Sequence, residues 1–205
     1  NTPNVTASDF TWVNSNVSIP TSVLQGAVND TVTLDASVSY QLNSSYIVQS
    51  GGELIIPAGT KIEARDGGTG VYIAVLKGGK IDIQGTADNP VVFSSSEGNP
   101  GDWGGLTICG DATTSAGVNA EAEVGGFIYG GTNDADSSGS ITYLVIKGTG
   151  AQINADSQYN GISFYAVGSG TTLENISVID GADDGVEFFG GTVSASNLYL
   201  ENNED

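Results

Sequence analysis

The densest group of side chains able to do chemistry is the acidic run Asp180, Asp183, Asp184 and Glu187. Carboxylates paired across adjacent turns of a repetitive fold can act as general acid and base on a glycosidic bond, or can hold Ca²⁺ beside a basic catalyst. The second chemistry needs a Lys or Arg at the site. No cation follows Lys147, so Lys147 is the sole recruit for such a role. Imidazole chemistry is excluded, because the chain contains no His. The residues therefore favour a non-catalytic reading.

Hard-cation binding is the second chemistry. Asp180, Asp183 and Asp184 in one turn can be overlaid by Asn202, Asn203 and Asp205 in the next, which offers several oxygen ligands to Ca²⁺. A further loop from Asn133 to Gly139 spaces Asp134 and Asp136 as calcium loops space their acids, but lacks the downstream Glu of an EF-hand. The competing reading is that Asp and Asn occupy turns because their side chains cap local backbone groups. Zinc is disfavoured by the absence of His and the presence of one cysteine, Cys109. That cysteine lies inside an apolar run, where it reads as a small buried side chain. Trp12, Tyr40, Tyr46, Trp103, Tyr129, Tyr159 and Tyr165 could stack on polysaccharide if exposed; packing at corners or inside the fold is the alternative for most of them.

Charge narrows the partners. The 205-residue chain has 24 acidic and 5 basic residues, a formal net charge of −19. Nucleic acid and anionic membranes are repelled by such a surface. Beyond Lys147 every charge is negative, so that end should attract divalent cations or a basic partner. No run approaches the ~20 apolar residues that cross a bilayer as a helix. With no Met anywhere and a start at Asn1, the chain fits an exported product, secreted or placed on a bacterial cell surface.

The elements that must position these groups are short and β-rich. Runs such as Leu54 to Ile56, Ile81 to Ile83, Leu106 to Ile108, Phe127 to Tyr129, Ile162 to Tyr165 and Val186 to Phe189 are bounded by Gly, Asn, Asp and Ser, and helical periodicity is scarce. Internal repetition selects the architecture. Gly161 and Phe164 overlay Gly185 and Phe188, and Asn175-Ile176-Ser177-Val178 overlays Asn197-Leu198-Tyr199-Leu200; GGELIIPAGT from Gly51 resembles GGKIDIQGT from Gly78. Coils of roughly 22 to 27 residues, each with two or three short strands, are what a parallel β-helix requires. The expected fold is all-β, a right-handed parallel β-helix solenoid of about seven coils spaced ~4.8 Å apart. It should occupy residues 32–205, preceded over residues 1–31 by a non-repeating N-terminal extension acting as a cap or an inter-subunit strand. That lead carries Phe10, Trp12, Val13, Val17 and Ile19, more apolar material than a linker needs.

The runs GTADNP, GDWGG and DDGVEFFGG, in that order, resemble those of large secreted or surface-anchored parallel β-helix proteins of Bacteroidota and marine bacteria, over residues from about 43 to 205. The resemblance implies the fold and an extracellular setting. Such relatives tend to continue into further coils or an anchoring domain, whereas this chain stops just after a strand, as a fragment would or as a solenoid with an uncapped last coil. The expected function is a non-catalytic structural or adhesive module that associates with itself head to tail. Phe10, Trp12, Val13, Val17 and Ile19 would meet Val186, Leu198 and Leu200 of the next copy. A glycan-binding protein or polysaccharide-active enzyme is the alternative. Ca²⁺ is the one cofactor expected.

Overall fold

A computed structural model describes residues 19–155 and 157–204. Among these residues there is no helix, and sixteen strands follow in sequence: β1 (Thr21–Val28), β2 (Thr31–Thr33), β3 (Ser39–Val48), β4 (Glu53–Pro57), β5 (Lys61–Ala64), β6 (Ile73–Val75), β7 (Lys80–Gln84), β8 (Val91–Ser95), β9 (Leu106–Cys109), β10 (Ala120–Glu121), β11 (Ile128–Tyr129), β12 (Gly139–Lys147), β13 (Ile162–Tyr165), β14 (Thr172–Ile179), β15 (Val186–Phe189) and β16 (Ala195–Glu201). Apart from the antiparallel β10–β11 pair, every strand pairing is parallel.

The parallel strands wind round three faces. One face stacks β2, β4, β7 and the first halves of β12, β14 and β16. A second stacks seven rungs: the first halves of β1 and β3, then β5, β8, and the second halves of β12, β14 and β16. The third stacks the remaining halves of β1 and β3 with β6, β9, β13 and β15. This is the expected right-handed parallel β-helix, with six of the seven rungs of the second face inside the expected residues 32–205 and one, β1, before them. Its first rung is β1, so residues 21–28 of the stretch read as an extension pair with the solenoid's own β3. Of the lead's apolar residues, Phe10, Trp12, Val13 and Val17 lie outside the described residues, and Ile19 is exposed.

Alternating residues of each rung point inward and stack on like residues above and below. Ile56, Ile83 and Ile141 line the first face, and Ile62, Phe93 and Ile146 the second. Ile73, Leu106 and Ile162 line the third, and all belong to one continuous buried core. No coil could bury this set alone; stacking removes both of its open sides from water.

Corners carry the repeat. β12, β14 and β16 each bend at one left-handed residue, Tyr143 (φ 49°), Asn175 (φ 58°) and Asn197 (φ 57°), which occupy equivalent places. The Asn197 amide donates to Asn175 Oδ1 at 3.0 Å, continuing the stack in the side chains. Asparagine suits the position because it tolerates that conformation better than other residues with a β-carbon. Trp103 of the GDWGG run is fully buried at another corner, its indole N–H donating to the Lys147 carbonyl at 2.8 Å.

One excursion departs from the repeat. Phe127 to Tyr129, expected as a coil strand, instead contributes β11 to a hairpin with β10, reversed by Gly125 and Gly126 at φ 68° and 63°. The hairpin lies over the outer side of the third face, where Cys109, Tyr165, Val124 and Tyr129 form a second, smaller core with Phe127 and Phe189 packed against it. Lys77 fastens the excursion. Its Nζ donates to Asn119 Oδ1 at 2.7 Å and to the Gly130 carbonyl at 3.1 Å, and pairs with Asp111 at 3.3 Å.

Candidate functional site: an acidic flank on the third face

The outward residues of the third face form ladders set by register. Ala74, Thr107, Ser163 and Glu187 are successive partners in one ladder; the next outward ladder carries Cys109, Tyr165 and Phe189. Tyr165 is stacked on Phe189, ring centroids 4.1 Å apart and nearly parallel, and is tilted against Tyr129 at 4.9 Å. Asn160, buried just before β13, donates through Nδ2 to Ser163 Oγ at 3.0 Å and to Glu187 Oε2 at 2.8 Å. Glu187 is thus held in place by a buried amide.

Carboxylates collect round this point from several elements: Glu187 from β15, Asp183 and Asp184 from the turn after β14, Glu123 from the hairpin and Glu204 from the last residues described. Burial, then Asp184, Glu123 and Asp183, push the Glu187 carboxyl above its ordinary range, against the opposing Asn160 hydrogen bond. Burial and the charges of Asp184, Glu204 and Glu123 raise Asp183 in the same sense. No cation contributes to either group. Lys147, the one basic residue available to the cluster by sequence, lies on the second face opposite Ile179.

Three buried side-chain oxygens among the described residues have no hydrogen-bond partner, and all three lie on this flank. Thr107 Oγ1 is on the Ser163–Glu187 ladder and Tyr165 Oη is on the next. Thr149 Oγ1 belongs to the turn whose carbonyl accepts from Ala182, beside Asp183. Burial, then Glu123 and Glu187, oppose ionisation of Tyr165, so its hydroxyl stays protonated.

The structure separates the residues read as metal ligands. Asp183 and Asp184 join the flank. Asp180, left-handed at φ 58°, accepts from the Asn202 amide at 3.0 Å, and Asn203 Oδ1 accepts from the Gly181 N–H at 3.0 Å. Asn202 and Asn203 therefore do overlay the earlier turn, as a hydrogen-bonded stack. Asp134 accepts from both the N–H and the hydroxyl of Thr113, at 2.9 and 2.7 Å, and Asp136 accepts from the Asp111 N–H at 3.1 Å. Both cap backbone of a neighbouring turn. No group of three or more Asp, Glu, His or Cys side chains among the described residues is arranged to hold a metal ion.

Tyr40, Tyr46, Trp103, Tyr129, Tyr159 and Tyr165 are all buried, so they serve packing rather than a stacking surface. Trp12 lies outside the described residues. Cys109 is buried in β9, its thiol pushed up to about 12 by desolvation. Glu123 and Asn160 are not singled out in the sequence as site residues, and Tyr165 stands out there only as an aromatic that could stack on polysaccharide. Asn160 carried a signal, since it immediately precedes the repeated Gly161, but nothing local tells that hairpin residue Glu123 folds over β15.

The second feature is the last rung. Inward-facing Phe188, Leu198 and Leu200 are 44%, 38% and 44% exposed, whereas Phe164, Ile176 and Val178, their partners one coil earlier, are 1%, 1% and 0% exposed. Val186 is half-buried. At the other end Leu24, Val28 and Leu34 are buried.

Three parallel stacked faces, an inward apolar ladder and polar groups displayed outward define a parallel β-helix. The chain matches the model of the pectate-lyase-like β-helix domain over residues 26–205 and belongs to that family. Neither the comparison with curated proteins nor that with solved structures gives a match.

Proposed function

We propose that the chain is a non-catalytic extracellular structural solenoid that joins end to end with further copies of itself, on a cell surface or in secreted material. The observation that supports this reading is the apolar last rung. Phe188, Leu198 and Leu200 repeat an inward pattern that is fully buried one coil earlier, and among the described residues β16 pairs with β14 alone. Soluble proteins cover such edges. Charge favours a head rather than a tail as the cover. Residues 148–205 carry nine acids and no Lys or Arg, whereas residues 1–60 carry four acids and no Lys or Arg, so tail against tail would set more like charge together than tail against head. The contacting surfaces then differ, and a heterologous contact of this kind grows into a filament unless the rotation closes a ring. The likeness of GTADNP, GDWGG and DDGVEFFGG to surface proteins of Bacteroidota and marine bacteria supports the extracellular setting.

Sedimentation of the full chain over a wide concentration range tests the proposal. The expected result is concentration-dependent association that Leu198→Asp with Leu200→Lys abolishes while the thermal unfolding of the inner coils persists. A monomer at the highest concentration in physiological salt refutes it, as does association untouched by the double substitution.

A further inference from the structure

We propose that the acidic flank is a binding site for a primary alkylammonium group, with Glu123, Asp183, Asp184 and Glu187 supplying the charge and the buried Tyr165 hydroxyl accepting one ammonium hydrogen. Three independent observations converge. Carboxylates from the hairpin, the turn after β14 and β15 act on one another electrostatically, and no cation of the chain contributes. Burial makes such repulsion harder to screen than on an open surface. Next, the three unpartnered buried oxygens of the described residues, Thr107 Oγ1, Thr149 Oγ1 and Tyr165 Oη, all fall on this flank. Buried polar atoms without partners are rare in folded proteins and commonly mark where a water or ligand belongs. Finally, Asn160 fixes Glu187 from behind, through an amide that also engages Ser163. A carboxylate positioned by a buried amide is built to face a ligand rather than to wave in solvent.

The class of cation follows from the donor set. No three of these side chains are close enough together to hold a metal ion. An ammonium group suits a wider cage, since it presents three N–H donors on a flexible stem and can reach carboxylates that do not converge on a point. A free diamine and a lysine of a basic partner share this chemistry.

The test is isothermal titration of the full chain with cadaverine, with a tetralysine peptide and with CaCl₂, at low and at physiological salt. Saturable binding of an amine is expected, weakened at least tenfold by Glu187→Gln and by Glu123→Gln, and left unchanged by Asp30→Asn with Glu53→Gln at the other end of the solenoid. Glu123 is exposed on the hairpin, so its substitution reports on the site even if Glu187→Gln impairs folding. Tyr165→Phe separates a ligand role from a structural one. Removing an unpartnered buried hydroxyl leaves the Tm of the free chain unchanged or raised, yet lowers amine affinity severalfold. Tighter binding of tetralysine than of cadaverine identifies a basic partner as the source, and the reverse order a free amine. The inference is overturned if neither amine saturates, if the distant substitutions weaken binding as much as those at the flank, or if calcium binds stoichiometrically and excludes the amine.

Discussion

Replacing Gly161 by Ala tests the stacking rule on which the whole solenoid rests. Gly105, Gly161 and Gly185 occupy the same place on successive rungs, one residue before the inward Leu106, Ile162 and Val186. A β-carbon on Gly161 would stand 2.3 Å from the Gly185 carbonyl oxygen and 2.4 Å from Val178 Cγ1. Ordinary contacts need ~3.5 Å, so the β15 rung would have to move by about 1 Å. That movement works against two inter-rung bonds, Ile162 N–H to the Gly185 carbonyl at 3.0 Å and Gly161 N–H to the Asp184 carbonyl at 2.8 Å. Overpacking of this kind costs about 1–3 kcal/mol, and one weakened hydrogen bond adds about 1 kcal/mol. At ~2–4 °C per kcal/mol for a chain of this size, the Tm should fall by roughly 5–15 °C. Gly51→Ala is the control: φ is +84° and nothing lies within 4 Å, so only the left-handed penalty of ~1–2 kcal/mol applies. Circular dichroism melts of the two variants and the parent decide the matter. If Gly161→Ala melts within about 2 °C of the parent, or if Gly51→Ala is the more damaging of the two, the close approach of backbones at this ladder does not set the rung spacing.

Lys77→Met should loosen the excursion without unwinding the coils: its three acceptors lie at a partly exposed site, so the loss is about 1 kcal/mol, read as roughly fivefold faster hydrogen exchange at Asn119 and Gly130, and unchanged exchange there counts against the fastening role. The raised carboxyls predict an acid-side gain in stability. A folded-state pKa above the ordinary 4.5 of Glu187 and 3.8 of Asp183 means that the fold gains as pH falls through those raised values, a gain complete below the ordinary ones. Asp134 and Asp35, lowered below 3.8 by Thr113 and Ser37, hold their contribution above 3.8 and lose it in stronger acid. The Tm should therefore rise as pH falls from neutral towards 4.5 and 3.8, the ordinary values at which the gain is complete, and drop in stronger acid, with Glu187→Gln flattening the rise; a parent Tm that is level from neutral down to those values contradicts the burial of these groups.

The fold was legible from the amino acids alone, because a solenoid repeats its own physics. Gly161 and Phe164 matching Gly185 and Phe188, and Asn175 matching Asn197, are residues forced into the same place by the same close approach, inward ladder or left-handed corner on successive coils. Such local demands recur in the chain and can be read there. The overlay of Asp180 with Asn202 was legible for the same reason, as was the burial of Cys109. Off the repeat, placement depends on long-range packing that no local signal carries. The excursion folds β10 and β11 back over the third face, which buries Tyr129 and Tyr165 and brings Glu123 to the acids of a turn far along the chain. No periodic signal encodes that return, since the hairpin is fixed by contacts with a finished outer surface. Asp134 and Asp136 show the same division: their spacing suggested a cation loop, but their partners, Thr113 and Asp111, are supplied by a neighbouring turn that exists only once the coils have stacked.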